Sequence, residues 1–148
     1  MNDALKEIMQ AFESTEYSEL VDVAKEAIAI AYPYITKVFA DQEIDENLPV
    51  KTILHFIATT IAVDGNYTEL EHKFFCDVTG DTDSYEDNKA FIAQFADGKH
   101  ADVADQLFDY IVNDNDAKAA LLQLCLAICA VDKTISPDEV AFICKLID

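Results

Sequence analysis

Ala62-Val63-Asp64-Gly65-Asn66-Tyr67-Thr68-Glu69-Leu70-Glu71 joins two apolar stretches of helical period, residues 53–63 and 70–78. The pattern recurs 68 residues later. Ala130-Val131-Asp132-Lys133-Thr134-Ile135-Ser136-Pro137-Asp138-Glu139 lies between the apolar stretches 121–131 and 140–147. Residues 53–80 align with 121–148 without a gap. Identical pairs include Ala62/Ala130, Val63/Val131, Asp64/Asp132, Glu71/Glu139, Phe74/Phe142 and Cys76/Cys144. A repeated helix–turn–helix accounts for that clustering better than coincidence does. Each turn carries the chemistry of a helix start. Thr68 and Glu71 make a Thr-x-x-Glu capping box, and Ser136 and Glu139 make another, with Pro137 at the first helical position. Gly65 suits the left-handed conformation that ends a helix. Lys133 stands at the equivalent place, so the second turn either bends differently or holds a side chain in that conformation.

Outward from the turns, helical spacing runs through most of the chain. Leu5, Ile8, Met9 and Phe12 predict a short first helix, broken over residues 14–18. From Leu20 to Phe39 the apolar period persists through Pro33, where a kink or break is expected. Residues 41–47 form an acidic connection, and Pro49 opens a helix so apolar all round that it is expected to be the central buried one. Ser84 is placed to cap a helix carrying Phe91, Ile92 and Phe95, and Asp97-Gly98 to end it. Another helix is expected over residues 101–112, and a residue of Asn113-Asp114-Asn115-Asp116 to cap the helix of the second unit. The expectation is an all-α single domain over residues 1–148, of seven or eight helices and no strand. It contains two related helix–turn–helix units packed about a pseudo-twofold axis.

Composition excludes several functions. The chain has 148 residues, 29 acidic against 10 basic, and a net charge of −19; every basic residue is Lys. Such a surface repels nucleic acid and anionic membranes, and without Arg there is no bidentate grip on phosphate. The acidity fits cations, a basic protein partner, or solubility alone. With only three Gly there is no phosphate-cradling loop, and no nucleophile–His pattern is placed. Cys76, Cys125, Cys129 and Cys144 form no Cys-x-x-Cys pair, and read as buried, reduced thiols acting as small hydrophobes. The first residues have neither a basic region nor an apolar core, and no apolar run reaches membrane length. A soluble, cytoplasmic protein is expected.

Three site readings arise. The run from Asp64 to Glu71 is similar to the back half of a calcium-binding EF-hand loop, but the early ligand positions would fall on Thr60 and Ala62, in helix, and on Ile128 and Ala130 in the second copy. His72 and Cys76 have a spacing that suits zinc, yet no second His/Cys pair joins them, so a core or rim position is expected. His55 reads as a surface or polar contact and His100 as a turn residue. The Asp and Glu of each turn can also be satisfied without any ion, by backbone amides at the helix start.

Ala62 to Glu71, and less perfectly Ala130 to Glu139, resembles the TerB-like family, helical proteins named for tellurite resistance and related to the N-terminal region of some membrane-anchored J-domain co-chaperones. The family hallmark is similar to Ala-x-Asp-Gly-x-Ile/Tyr-Ser/Thr-x-x-Glu after an apolar helix. The resemblance covers residues 53–80 and 121–148. It implies an all-α fold and a divalent cation such as calcium held by Asp64, Glu71, Asp132 and Glu139; Lys133 in place of Gly departs from the pattern. The function expected is a non-enzymatic interaction or stress- and metal-sensing module with a protein partner. The alternative is an acidic decoy or adaptor that binds a basic protein as nucleic-acid mimics do.

Overall fold

A computed structural model describes residues 3–39, 48–63, 65–94 and 114–147. These form seven helices and no strand. They are α1 (Asp3–Glu13), α2 (Tyr17–Phe39), α3 (Leu48–Ala62), α4 (Glu69–Thr79), α5 (Tyr85–Ala93), α6 (Asn115–Cys129) and α7 (Pro137–Ile147). The all-α expectation holds. The expected helix over 101–112, the acidic connection 41–47, Phe95, Asp97-Gly98 and His100 lie outside the described residues.

Local chemistry sets the helix ends. Ser84 accepts the Asp87 amide at 3.2 Å and starts α5. Asp114 accepts the Ala117 amide at 2.9 Å and starts α6. Gly80 closes α4 in the left-handed conformation, returning its N–H to the Cys76 carbonyl. Pro33 does not break α2, which is helical from Tyr17 to Phe39. The ring lies on an exposed face. Ala29, whose carbonyl loses its partner, is exposed as well, so water can take up that bond and the helix tolerates the ring.

The core is organised by α2 and α6. Leu20, Ala24, Ala27, Ala31 and Ile35 form a buried stripe on α2. It meets a face of α6 that buries Ala117, Ala120, Leu121, Leu124 and Ala127. This is the most extensive helix pairing among the described residues, and small side chains on both sides let the backbones approach. α3 packs on both helices, with Phe56, Ile57, Ala58 and Ile61 buried. α3, expected from the sequence to be the central buried helix, also packs on α5.

Both turns bend alike. Gly65 N–H bonds to the Ala62 carbonyl at 3.0 Å, and Lys133 N–H to the Ala130 carbonyl at 2.9 Å. Gly65 has φ +74° and Lys133 φ +67°. The second turn therefore keeps the bend and holds a side chain in a conformation that costs a non-glycine residue about 1–2 kcal/mol. Lys133 recovers some of this through its ammonium, which donates to the Thr15 carbonyl. The Ile135 amide donates to Glu13 at 3.1 Å, so the end of α1 is fastened to this turn. A Cβ on Gly65 would meet nothing within 4 Å. Gly65→Ala is accordingly expected to lower stability by about 1–2 kcal/mol from backbone conformation alone, read as a lower urea midpoint with an unchanged m-value.

Candidate functional site

The predicted acidic residues occupy unlike environments. Glu71 is only 3% exposed and Glu139 6%. In each box one carboxylate oxygen accepts the cap residue's amide, Thr68 N–H or Ser136 N–H, both at 2.9 Å. The hydroxyls of Thr68 and Ser136 accept the Glu71 and Glu139 amides at 3.1 and 3.2 Å. Both capping boxes expected from the sequence are thus formed. Asp132 is exposed. Asp64 lies outside the described residues. Among the described residues, no group of three or more His, Cys, Asp and Glu side chains could hold a metal ion.

The first turn carries an aromatic cluster that periodicity did not reveal. Tyr67 and Tyr85 stack with ring centroids 5.3 Å apart and planes 6° from parallel. The Tyr85 hydroxyl donates to the Tyr67 carbonyl at 2.5 Å, tying the turn to α5. His72 meets both rings edge-on, and its Nδ1 lies 2.8 Å from the Tyr67 hydroxyl. Asn88, buried on α5, is 3.5 Å from the same nitrogen. His72 and Cys76 do approach, with Sγ 3.7 Å from Nε2. The imidazole is nevertheless engaged by tyrosine and asparagine, which is the rim position expected. His55 is half-buried, tilted against Phe91 at 6.4 Å.

Two phenols are held protonated well above their ordinary range. Burial raises Tyr67 first, followed by the charges of Cys76, Glu71 and Asp81. Burial also raises Tyr17, helped by its 2.6 Å hydrogen bond to Asp77. A phenol with a raised folded-state pKa contributes fully below about pH 10, the unfolded value, and loses that contribution as pH climbs toward the folded value. Stability should therefore be flat in this respect below pH 10 and fall above it. Tyr67→Phe should flatten the alkaline limb of a plot of urea midpoint against pH.

One concavity among the described residues is an open apolar groove. Ile28 and Tyr32 of α2, Val50, Ile53 and Leu54 of α3, and Val78 and Thr79 of α4 line a groove of about 170 Å³. Val50 is 44% exposed and Tyr32 39%. The sequence signal was present, since Val50 extends α3's apolar surface beyond its buried face, but nothing local shows that three helices meet there. No helix among the described residues is long and apolar enough to cross a membrane. The chain matches no protein-family model, no curated protein and no solved structure.

Proposed function

We propose that this chain is a non-enzymatic, cytoplasmic, TerB-like helical module that binds a basic segment of a partner protein. The observation that carries the reading is the open apolar groove between α2, α3 and α4 on a chain of net charge −19. A helix with apolar residues at i and i+4 can seat them in such a groove while flanking lysines meet the acidic surface. Neither nucleic acid nor an anionic membrane has the charge for this partnership.

The module is built from two units, 53–80 and 121–148. In support, burial recurs at the same offset. Ala62 and Ala130, Tyr67 and Ile135, Glu71 and Glu139, and Phe75 and Ile143 are all buried, while Cys76 and Cys144 are both half-buried. The glutamates serve the turns as caps. A protein with the units duplicated can keep one for packing and vary the surface of the other.

The test uses synthetic amphipathic peptides rich in Lys and Leu, followed by fluorescence anisotropy. Saturable binding is expected, weakening as salt rises. Val50→Glu should weaken it by about 10-fold, corresponding to roughly 1.4 kcal/mol, without changing the melting temperature. Equal binding by the variant would leave charge alone as the determinant, which is the decoy reading. No binding would overturn the proposal. A melting temperature that rises with free calcium, and no longer does so in Asp64→Ala, would favour the cation reading instead.

A further inference from the structure

Lys133 marks the point where the second turn departs from the first. Both turns make the same bend, with φ +74° at Gly65 and +67° at Lys133. Glycine takes that conformation freely, whereas a lysine is strained in it. The Lys133 ammonium donates to the Thr15 carbonyl, and the Ile135 amide of the same turn donates to the Glu13 carboxylate at 3.1 Å. Both acceptors lie at the break between α1 and α2. That break is narrow. Ser14 N–H still bonds to the Gln10 carbonyl in the helical pattern, at 3.2 Å. Thr15 N–H shifts to the Phe12 carbonyl, three residues back, at 3.1 Å, and α2 starts with Leu20 N–H on the Glu16 carbonyl at 3.0 Å. Neither Gly nor Pro stands at residues 14–16, so the sequence permits a helix there. In a helix running through the break, the Thr15 carbonyl would accept the Glu19 amide; the Lys133 ammonium competes for it. α1 itself is lightly held. Its buried side chains are Leu5 and Met9, and it packs chiefly on α6.

We propose that α1 is an exchangeable arm, that Lys133 is the catch keeping it on its own chain, and that a second copy of this chain receives it once the catch is released. When the ammonium leaves the Thr15 carbonyl, residues 14–16 join α1 to α2 in one helix. α1, about 16 Å long at about 1.5 Å per residue, then projects along the α2 axis and leaves its seat on α6. The seat that fits Leu5 and Met9 exists on every copy. Two opened chains therefore exchange arms and regain the same apolar contacts. A short connection under strain favours such an exchange. Charge opposes it, because each copy carries −19 and two such chains repel at low salt. The closed monomer is thus kept by one cation at the break and by repulsion between copies. None of these residues lines the groove between α2, α3 and α4.

The experiment measures the monomer–dimer equilibrium of the full reduced chain by analytical ultracentrifugation, with amide hydrogen exchange on the species formed. Lys133→Gly installs the residue of the first turn, so it relieves the strain as it removes the catch. Lys133→Met keeps the strain and the stem but has no donor. Both should dimerise with a dissociation constant at least 10-fold lower than the wild type's, and more tightly as salt rises. Lys133→Arg, which keeps a cationic donor, should behave as the wild type. The amides of Tyr17, Ser18 and Glu19 are first-turn donors of α2 in the closed chain and gain helical partners in the joined helix. They should exchange at least 10-fold more slowly in the dimer than in the monomer. Wild-type dissociation constants in both the glycine and methionine variants would overturn the catch, as would an arginine variant that dimerises like them. A dimer in which those three amides exchange as fast as in the monomer would overturn the exchanged arm.

Discussion

Phe74→Ala is expected to destabilise the protein by about 3–5 kcal/mol, the range for emptying a phenylalanine site in a packed core. Phe74 is 1% exposed and meets Tyr17 edge-to-face at 6.1 Å. The same tyrosine donates to Asp77 and lies under the Lys73 ammonium, 4.5 Å from its ring centre. Three residues of α4 thus grip the first residue of α2, and Phe74 is the apolar member of the grip. Its loss leaves a hole that Asp77 and Lys73 cannot close, since both reach Tyr17 from the rim. The counterpart Phe142 is only half-buried, so Phe142→Ala should cost less than half as much. Urea denaturation of both variants checks the pair. Equal losses would mean that the two units bury their phenylalanines alike.

Ala27→Leu is expected to cost about 1–3 kcal/mol, at the upper end of that range, because it overpacks the α2–α6 seam. Ala27 is buried on the α2 stripe that faces α6. Alanines on both helices set their separation, and an added isobutyl group can be housed only by moving one helix away. For a chain of this length, 3 kcal/mol lowers the melting temperature by roughly 6–12 °C. Ala29→Leu, on the exposed side of the same helix, should change stability by no more than about 0.5 kcal/mol. A differential scanning experiment on both variants separates seam packing from helix propensity.

The sequence made local structure legible and long-range structure mostly not. Thr68, Glu71, Ser136 and Glu139 announced two capping boxes because every partner lies within three residues. Ser84 was readable for the same reason. The α2–α6 seam was hidden because alanine is only weakly apolar, so its buried stripe looks quieter than the Ile- and Phe-rich face of α3. Continuity through Pro33 depended on which way that residue faces, a tertiary fact. The Tyr67–Tyr85 stack and the Lys133–Thr15 bond join residues far apart in the chain, and no spacing rule reaches them. At the site, the capping role of Glu71 and Glu139 was readable beside the cation role that the family resemblance implies for them.

The α2–α6 pairing also governs how the chain reaches its native state. The two helices are separated by roughly a hundred positions, so their docking is a high-contact-order event that precedes most of the core's stabilisation. Local helices and capped turns can form early at little entropic cost. The alanine stripe of α2 must then wait, exposed to water, until residues 115–129 have left the ribosome. Lys133 and Ile135 fasten α1 later still. The strong negative charge offers a separate advantage during that interval, because nascent chains carrying an uncovered apolar stripe repel one another rather than associate.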